Sequence, residues 1–130
     1  MLFMLDTDSV SYALREEGRV AAQIRRHHPS QLCMSSISLA ELRFGADRRR
    51  SKNLHQVIDD FVTSLAVLPF DEECAALYGN IGNDLARAGW PIGRFDTLIA
   101  AHAMTVDATL VTNNVKHFDR VRGLRVENWY

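Results

Sequence analysis

Apolar and polar positions come in alternating blocks along this chain, with no single period throughout. Leu2 to Leu5 is an unbroken apolar run of strand length, as expected for a strand covered on both faces. Ser9 to Leu14 and Arg19 to His28 carry helical spacing, with a break predicted at Gly18. Leu32 to Ile37 is a second strand, and Ser38 opens a helix that Gly45 is expected to weaken or end. Leu54, Val57, Ile58, Phe61 and Leu65 recur at helical spacing. Ala66 to Phe70 is a third strand, placed at a sheet edge by Pro69. Cys74, Leu77, Tyr78, Ile81 and Leu85 form one helix face that stops near Gly89, ahead of Pro91. Thr97 to Met104 is apolar enough to be a buried helix, and the strands Thr109 to Thr112 and Leu124 to Glu127 follow.

Strands that alternate with helices predict an α/β fold: a short parallel sheet covered by helices on both faces. Residues 1–130 contain no internal repeat, low-complexity tract or linker, so they are expected to form one domain. The formal net charge of −1 argues against a generally basic nucleic-acid binder, so contact with a phosphate backbone needs a local patch. Arg48-Arg49-Arg50 with Lys52 is one such patch, and Arg43, Arg94 and Lys116 near the acids described next are another; the arginine run reads more simply as a solvated face. The apolar runs are too short to span a bilayer, and Met1 to Asp6 lacks the basic start of a signal peptide, so a cytoplasmic protein with no membrane contact is expected. Cys33 and Cys74 lack any CxxC or Cys/His context and read as buried thiols. Trp90 reads as a packing residue, with an interface or stacking role as the alternative.

Three acids change the picture. Asp6 closes the first strand, Glu41 lies just past the second, and Asp96 sits immediately ahead of the buried helix. Each has a structural role to offer: Asp6 as a helix N-cap, Glu41 as the return arm of a Ser38-x-x-Glu41 capping box, and Asp96 on a helix dipole. Capping alone is served equally by Ser, Thr or Asn. In a parallel sheet these positions converge beyond the carboxyl ends of the strands, where ligands bind. Carboxylates gathered there repel unless one is protonated or a cation holds them, and carboxylate oxygens suit Mg²⁺ or Mn²⁺. Asn113 and Asn114 follow the fourth strand at the same edge, His117 and Asp119 come slightly later, and the hydroxyls of Thr7 and Ser36 lie near enough to bond an acid or water.

Four segments together resemble PIN-domain toxins of the VapC type: Met4-Leu5-Asp6-Thr7-Asp8, Ile37 to Ala46 around Glu41, Ile92 to Ala103 around Asp96, and Leu110-Val111-Thr112-Asn113-Asn114 running on to Asn128-Trp129. Each motif is weak alone, but all four occur in order and in register across nearly the whole chain. The resemblance implies a three-layer α/β/α PIN-like fold and an Mg²⁺- or Mn²⁺-dependent endoribonuclease that halts translation. It also implies a homodimer held inactive by a VapB-type antitoxin, and it makes Asp6, Glu41 and Asp96 the catalytic, metal-binding acids. The substrate expected is a structured RNA such as tRNA, with Arg43, Arg94 and Lys116 against its backbone.

Three positions depart from that pattern. Close relatives carry an acid where His117 stands, which removes one negative charge; His117 is left as a metal ligand, a phosphate contact or neither, and Asp119 as a nearby substitute acid that the motif does not place. The family has Asn where Asp8 stands, adding an acid, and close relatives have Pro where Arg94 stands. Two other readings stay open here. One is a PIN-like module that binds RNA or an antitoxin without cutting. The other is a phosphatase of the haloacid-dehalogenase type using Asp6 and Asp8, which lacks the later acidic pair because Thr112 is followed by two Asn.

Overall fold

The computed structural model describes all residues, Met1–Tyr130. Its strands are β1 (Phe3–Leu5), β2 (Leu32–Ser35), β3 (Ala66–Leu68), β4 (Thr109–Val111) and β5 (Val126–Glu127), in the sheet order β3-β2-β1-β4-β5. Every pairing is parallel, with Leu5 level with Met34 on one side and with Val111 on the other. β3 is an edge strand, as its proline predicts. Alternate strand residues feed two cores, one per face. Phe3, Leu5, Leu32, Met34 and Val111 pack with Val10, Leu42 and Ile58 on one side; Met4, Cys33 and Leu110 pack with Ile81, Ile99 and Phe118 on the other. The first core is covered by α1 (Thr7–Leu14), α2 (Val20–Arg25), α3 (Ser36–Arg48) and α4 (Lys52–Phe61). The second is covered by α5 (Glu72–Ala88) and α6 (Arg94–Thr105), with the short α7 (Val115–Phe118) at its margin. This is the expected three-layer α/β/α arrangement.

Several helix starts differ from the sequence expectation. Strand β2 ends at Ser35, and Ser35 caps α3 by accepting a hydrogen bond from the Ile37 amide at 3.0 Å. The capping box on Ser38 therefore does not form: Ser38 lies inside the helix with its hydroxyl buried and unpartnered, and Glu41 is in the second turn. Gly45 does not stop α3, because a mid-helix glycine costs only about 1 kcal/mol and the chain packs on through Ala46. Helix α6 starts at Arg94, which places Asp96 inside its first turn. His117 lies on the helical turn α7, where the sequence suggested a polar loop. Trp90 is exposed, not packed: Gly89 ends α5 in the left-handed conformation and turns the chain outward. Cys33 and Cys74 are buried free thiols, as expected.

Strands β1, β2 and β3 step outward in one direction, and the chain then returns to the far side of β1 to form β4. The strand order thus reverses between β1 and β4. In open α/β sheets the crevice past the carboxyl ends at such a reversal is where ligands bind. Asp6 follows β1 directly there, and Thr112 follows β4.

Candidate functional site: an acidic edge beyond β1 and β4

Asp6 is the most constrained of the acids. It caps α1, with Oδ1 accepting from the Ser9 amide at 2.8 Å, and its own amide donates to the Val111 carbonyl at 3.0 Å. Ser9 secures the same junction by donating its hydroxyl to the Val111 carbonyl at 3.1 Å. Burial pushes the Asp6 carboxyl up to about 6, against the opposing pull of hydrogen bonds from Thr112 and Ser9, and the charge of Asp8 adds to the rise.

Glu41 reaches the same edge from α3. Its Oε1 accepts from the Thr7 hydroxyl at 2.6 Å, so α1 and α3 meet at a hydroxyl–carboxylate bond. Partial burial raises its pKa, the Thr7 bond lowers it, and the charges of Asp96 and Asp8 raise it further. Asp96 approaches from α6. Burial raises its pKa first, the charge and hydrogen bond of His117 pull it down, and Asp8 raises it. Asp8 is thus felt by Asp6, Glu41 and Asp96 alike, which makes this exposed residue the electrostatic hinge of the cluster. A shallow polar cleft of about 290 Å³ is lined by Asp6, Asp8, Tyr12, Asn113 and Asn114. Glu41 instead borders a neighbouring apolar hollow with Ala40, Phe44 and Phe95.

The donor set is carboxylate and hydroxyl oxygen throughout, which is the chemistry of a hard divalent cation. The charge of Asp8 raises the cost of ionising Asp6, Glu41 and Asp96, and a cation offsets it. The side chains do not by themselves close around a point, since no group of three stands within ligating range of one ion. Holding one ion with all three acids therefore takes bridging waters, which Mg²⁺ keeps readily.

The other expected residues divide. Thr7 is engaged with Glu41, and Asn113 lines the cleft while accepting from the Asn128 side chain at 3.2 Å. His117 points Nε2 at the Ile92 carbonyl, 2.8 Å away, and at Asp96 Oδ2, 3.0 Å away. Asp119 caps the end of α7, exposed and without a bond to the other acids. Arg43 is not free for a backbone phosphate in this arrangement: it pairs with Asp59 and donates to the His55 carbonyl at 3.2 Å, clamping α3 to α4. Arg94 and Lys116 are exposed and carry no ion pair, at the first position of α6 and on α7.

Sequence reasoning passed over Ser9, which anchors Asp6, and Tyr12, which walls the cleft. Ser9 had a signal, since it stands at the third helical position after an Asp cap. His102 was also missed. It is buried on α6 with Nδ1 hydrogen-bonded at 2.7 Å to the Ser35 hydroxyl, the same hydroxyl that accepts from Ile37. Burial lowers the His102 pKa, so the imidazole is a neutral tie between α6 and the start of α3, with the nearby Asp71 charge opposing that shift.

Fold and site together define an acid-lined PIN domain, and the PIN domain family profile matches residues 3–124. A tRNA(fMet)-specific endonuclease VapC of Salmonella typhimurium is 36% identical over 129 residues, covering 98% of this chain and 97% of the relative. A ribonuclease VapC of Haemophilus influenzae is 38% identical over the same length and shares. The crystal structure of DNA-bound VapBC from Salmonella typhimurium superimposes with a TM-score of 0.93 at 35% identity, covering 100% of both chains. The chain belongs to the PIN-domain family, among its VapC ribonucleases. Neither the phosphatase reading nor the non-cutting module is favoured by these relationships.

Proposed function

We propose that this ribonuclease is the toxin of a VapBC-type pair, that it cuts a structured RNA of the tRNA class in the cytoplasm, and that Asp6, Glu41 and Asp96 hold the Mg²⁺ or Mn²⁺ it uses. The observation that carries the proposal is the gathering of Asp6, Glu41 and Asp96 around Asp8 at the strand-order reversal, where burial first and neighbouring acid charge after it raise the pKa of each proposed ligand. The tRNA class rests on the relative named a tRNA(fMet)-specific endonuclease.

When bound, the divalent ion lowers the pKa of an attacking water and neutralises charge on the phosphoryl oxygens. The chain's own part is positional. Asp6 is held by the N-terminus of α1 and by Thr112, so one face of its carboxylate is fixed before any substrate arrives. Thr7 holds Glu41 across from it. Arg94 and Lys116 meet the RNA backbone as unpaired cations, which positions the strand and supplies little base preference. Selectivity then lies in the shape of a loop whose bases are unstacked.

The antitoxin is assigned to the groove between α1, α3 and α4, lined by Thr7, Ser11, Leu14, Glu41, Leu54 and Ile58. It opens beside Glu41, so a helix seated there carries a basic side chain to the acids. A second copy of the chain is met at the exposed aromatics Phe44 and Phe95. The test is cleavage of purified tRNA with Mg²⁺ or Mn²⁺, wild type beside Asp96→Asn. Loss of cleavage in the variant supports the metal-acid site, and equal cleavage by both proteins sinks it.

A further inference from the structure

We infer that His117 is a positioning residue for Asp96: its ring, anchored through Nε2–H on the Ile92 carbonyl, lies against one carboxylate oxygen and holds that side chain in place for the ion. The inference rests on the metal-site reading proposed above.

The geometry assigns the proton. His117 Nε2 lies 2.8 Å from the Ile92 carbonyl oxygen and 3.0 Å from Asp96 Oδ2. The Ile92 carbonyl can only accept, so this nitrogen carries a hydrogen and donates it there, with Asp96 Oδ2 beside the N–H as a charge contact. A protonated ring nitrogen has no lone pair to give, and Nε2 is therefore closed to a cation. The ring is also braced: it stands edge-on to Phe118 at 5.5 Å and 89°, and Phe118 is fully buried in the core that includes Ile92. The Ile92 carbonyl is a fixed anchor for the same reason, since Ile92 is itself buried and Gly93 begins α6 from a left-handed backbone.

The site gains a braced Asp96, whose Oδ1 takes no hydrogen bond. Carboxylates that ligate a metal are held by such outer partners, whose removal costs roughly 10- to 100-fold in metal affinity.

The test uses the full chain with Mn²⁺ as the probe, measuring affinity by titration and directly bonded nitrogen by pulsed electron paramagnetic resonance. His117→Ala is expected to weaken Mn²⁺ binding about 10- to 100-fold. His117→Gln, whose amide nitrogen reaches where Nε2 stands, is expected to restore most of it. His117→Asn, whose amide falls short, is not. Wild-type protein is expected to show no nitrogen bonded to Mn²⁺, and the loss in His117→Ala to fall on kcat with the KM for tRNA unchanged. Should His117→Ala fail to fold, the Gln and Asn variants, compared at matched thermal stability, carry the decision. A bonded-nitrogen signal, wild-type affinity in His117→Ala, or no difference between Gln and Asn overturns the positioning role. Asp96→Asn separates the two levels: wild-type Mn²⁺ affinity there overturns the metal-site reading and this inference with it. Weakened binding there beside an unaffected His117→Ala overturns the positioning role alone.

Discussion

Asp6 and Asp96 both feel the charge of Asp8 but are held in opposite ways. Asp6 is buried, caps α1, and is gripped by main-chain and hydroxyl donors that belong to the sheet edge itself. Asp96 is half exposed on the first turn of α6 and is steadied by one side chain, His117. The difference separates two jobs within one site. The Asp6 side is part of the fold and stores the larger burial cost; the Asp96 side is adjustable, and His117 offsets part of its own. The largest effect that tests this contrast is on cleavage. Asp6→Asn and Asp96→Asn are each expected to reduce tRNA cleavage at least about a hundredfold, the scale of removing a group that faces developing charge. Their stabilities should diverge. Asn caps a helix as well as Asp does, so Asp6→Asn keeps the cap, removes the buried charge and raises the thermal midpoint of metal-free protein at neutral pH. Asp96→Asn should raise it less. Thermal melts of the two variants side by side check the contrast, and equal shifts would erase it.

The pH dependence sharpens the same point. The Asp6 carboxyl lies at about 6 in the folded chain, against an ordinary value near 3.8. Between those values the folded chain keeps a proton that the unfolded chain has released, so stability falls as pH rises from about 4 to about 6 and stays lower above. At 1.36 kcal/mol per unit, the loss from this one group is at most about 3 kcal/mol. Urea denaturation of metal-free protein between pH 4 and pH 7 should show that decline, and Asp6→Asn should flatten it. A wild-type profile that rises across the same window would refute the buried-charge account.

A divalent ion should recover part of this loss. Ligand at about 100 times its dissociation constant stabilises the folded state by about 2.7 kcal/mol. The ion competes with the Asp6 proton, so the rise in melting temperature with Mg²⁺ should be larger at pH 7.5 than at pH 5.5. A rise of the same size at both values would detach the ion from Asp6.

How much of this was legible in the chain depended on whether a residue's role was local. Asp6 as a helix cap was readable because the cap, the apolar strand before it and the helix after it are contiguous. The parallel sheet and its two-sided cover were readable for the same reason, from blocks of apolar residues at strand and helix length. Glu41 was placed at the right edge through the wrong local device. Ser35, Ser36 and Ser38 all offer a hydroxyl for capping, and which one does so is decided by where β2 stops, which in turn depends on pairing with β1 and β3. His117 was flagged as a departure, but its bonds to Ile92 and Asp96 span more than twenty residues. Nothing local distinguishes a ligand from a donor there. Arg43 looked like a free cation until α4 supplied Asp59. Long-range contacts carried every part of the site that the sequence left open.

The smallest expected effect falls on the bond that joins the two halves. Thr7 belongs to the Asp6 helix, and its hydroxyl donates to Glu41 on α3 at 2.6 Å. Thr7→Val keeps the shape and removes the donor, which should cost about 1 kcal/mol of stability, the usual worth of one such bond. The bond also pulls the Glu41 pKa down against burial and against Asp96 and Asp8. Without it Glu41 holds its proton to higher pH. Cleavage in Thr7→Val should therefore be reduced most at the acid end of the pH profile and approach wild type as pH rises and the carboxylate is recovered. A uniform loss across that range would mean that Thr7 contributes packing and leaves the charge of Glu41 alone. The link between the fixed and the adjustable side of the site would then have to run through Asp8.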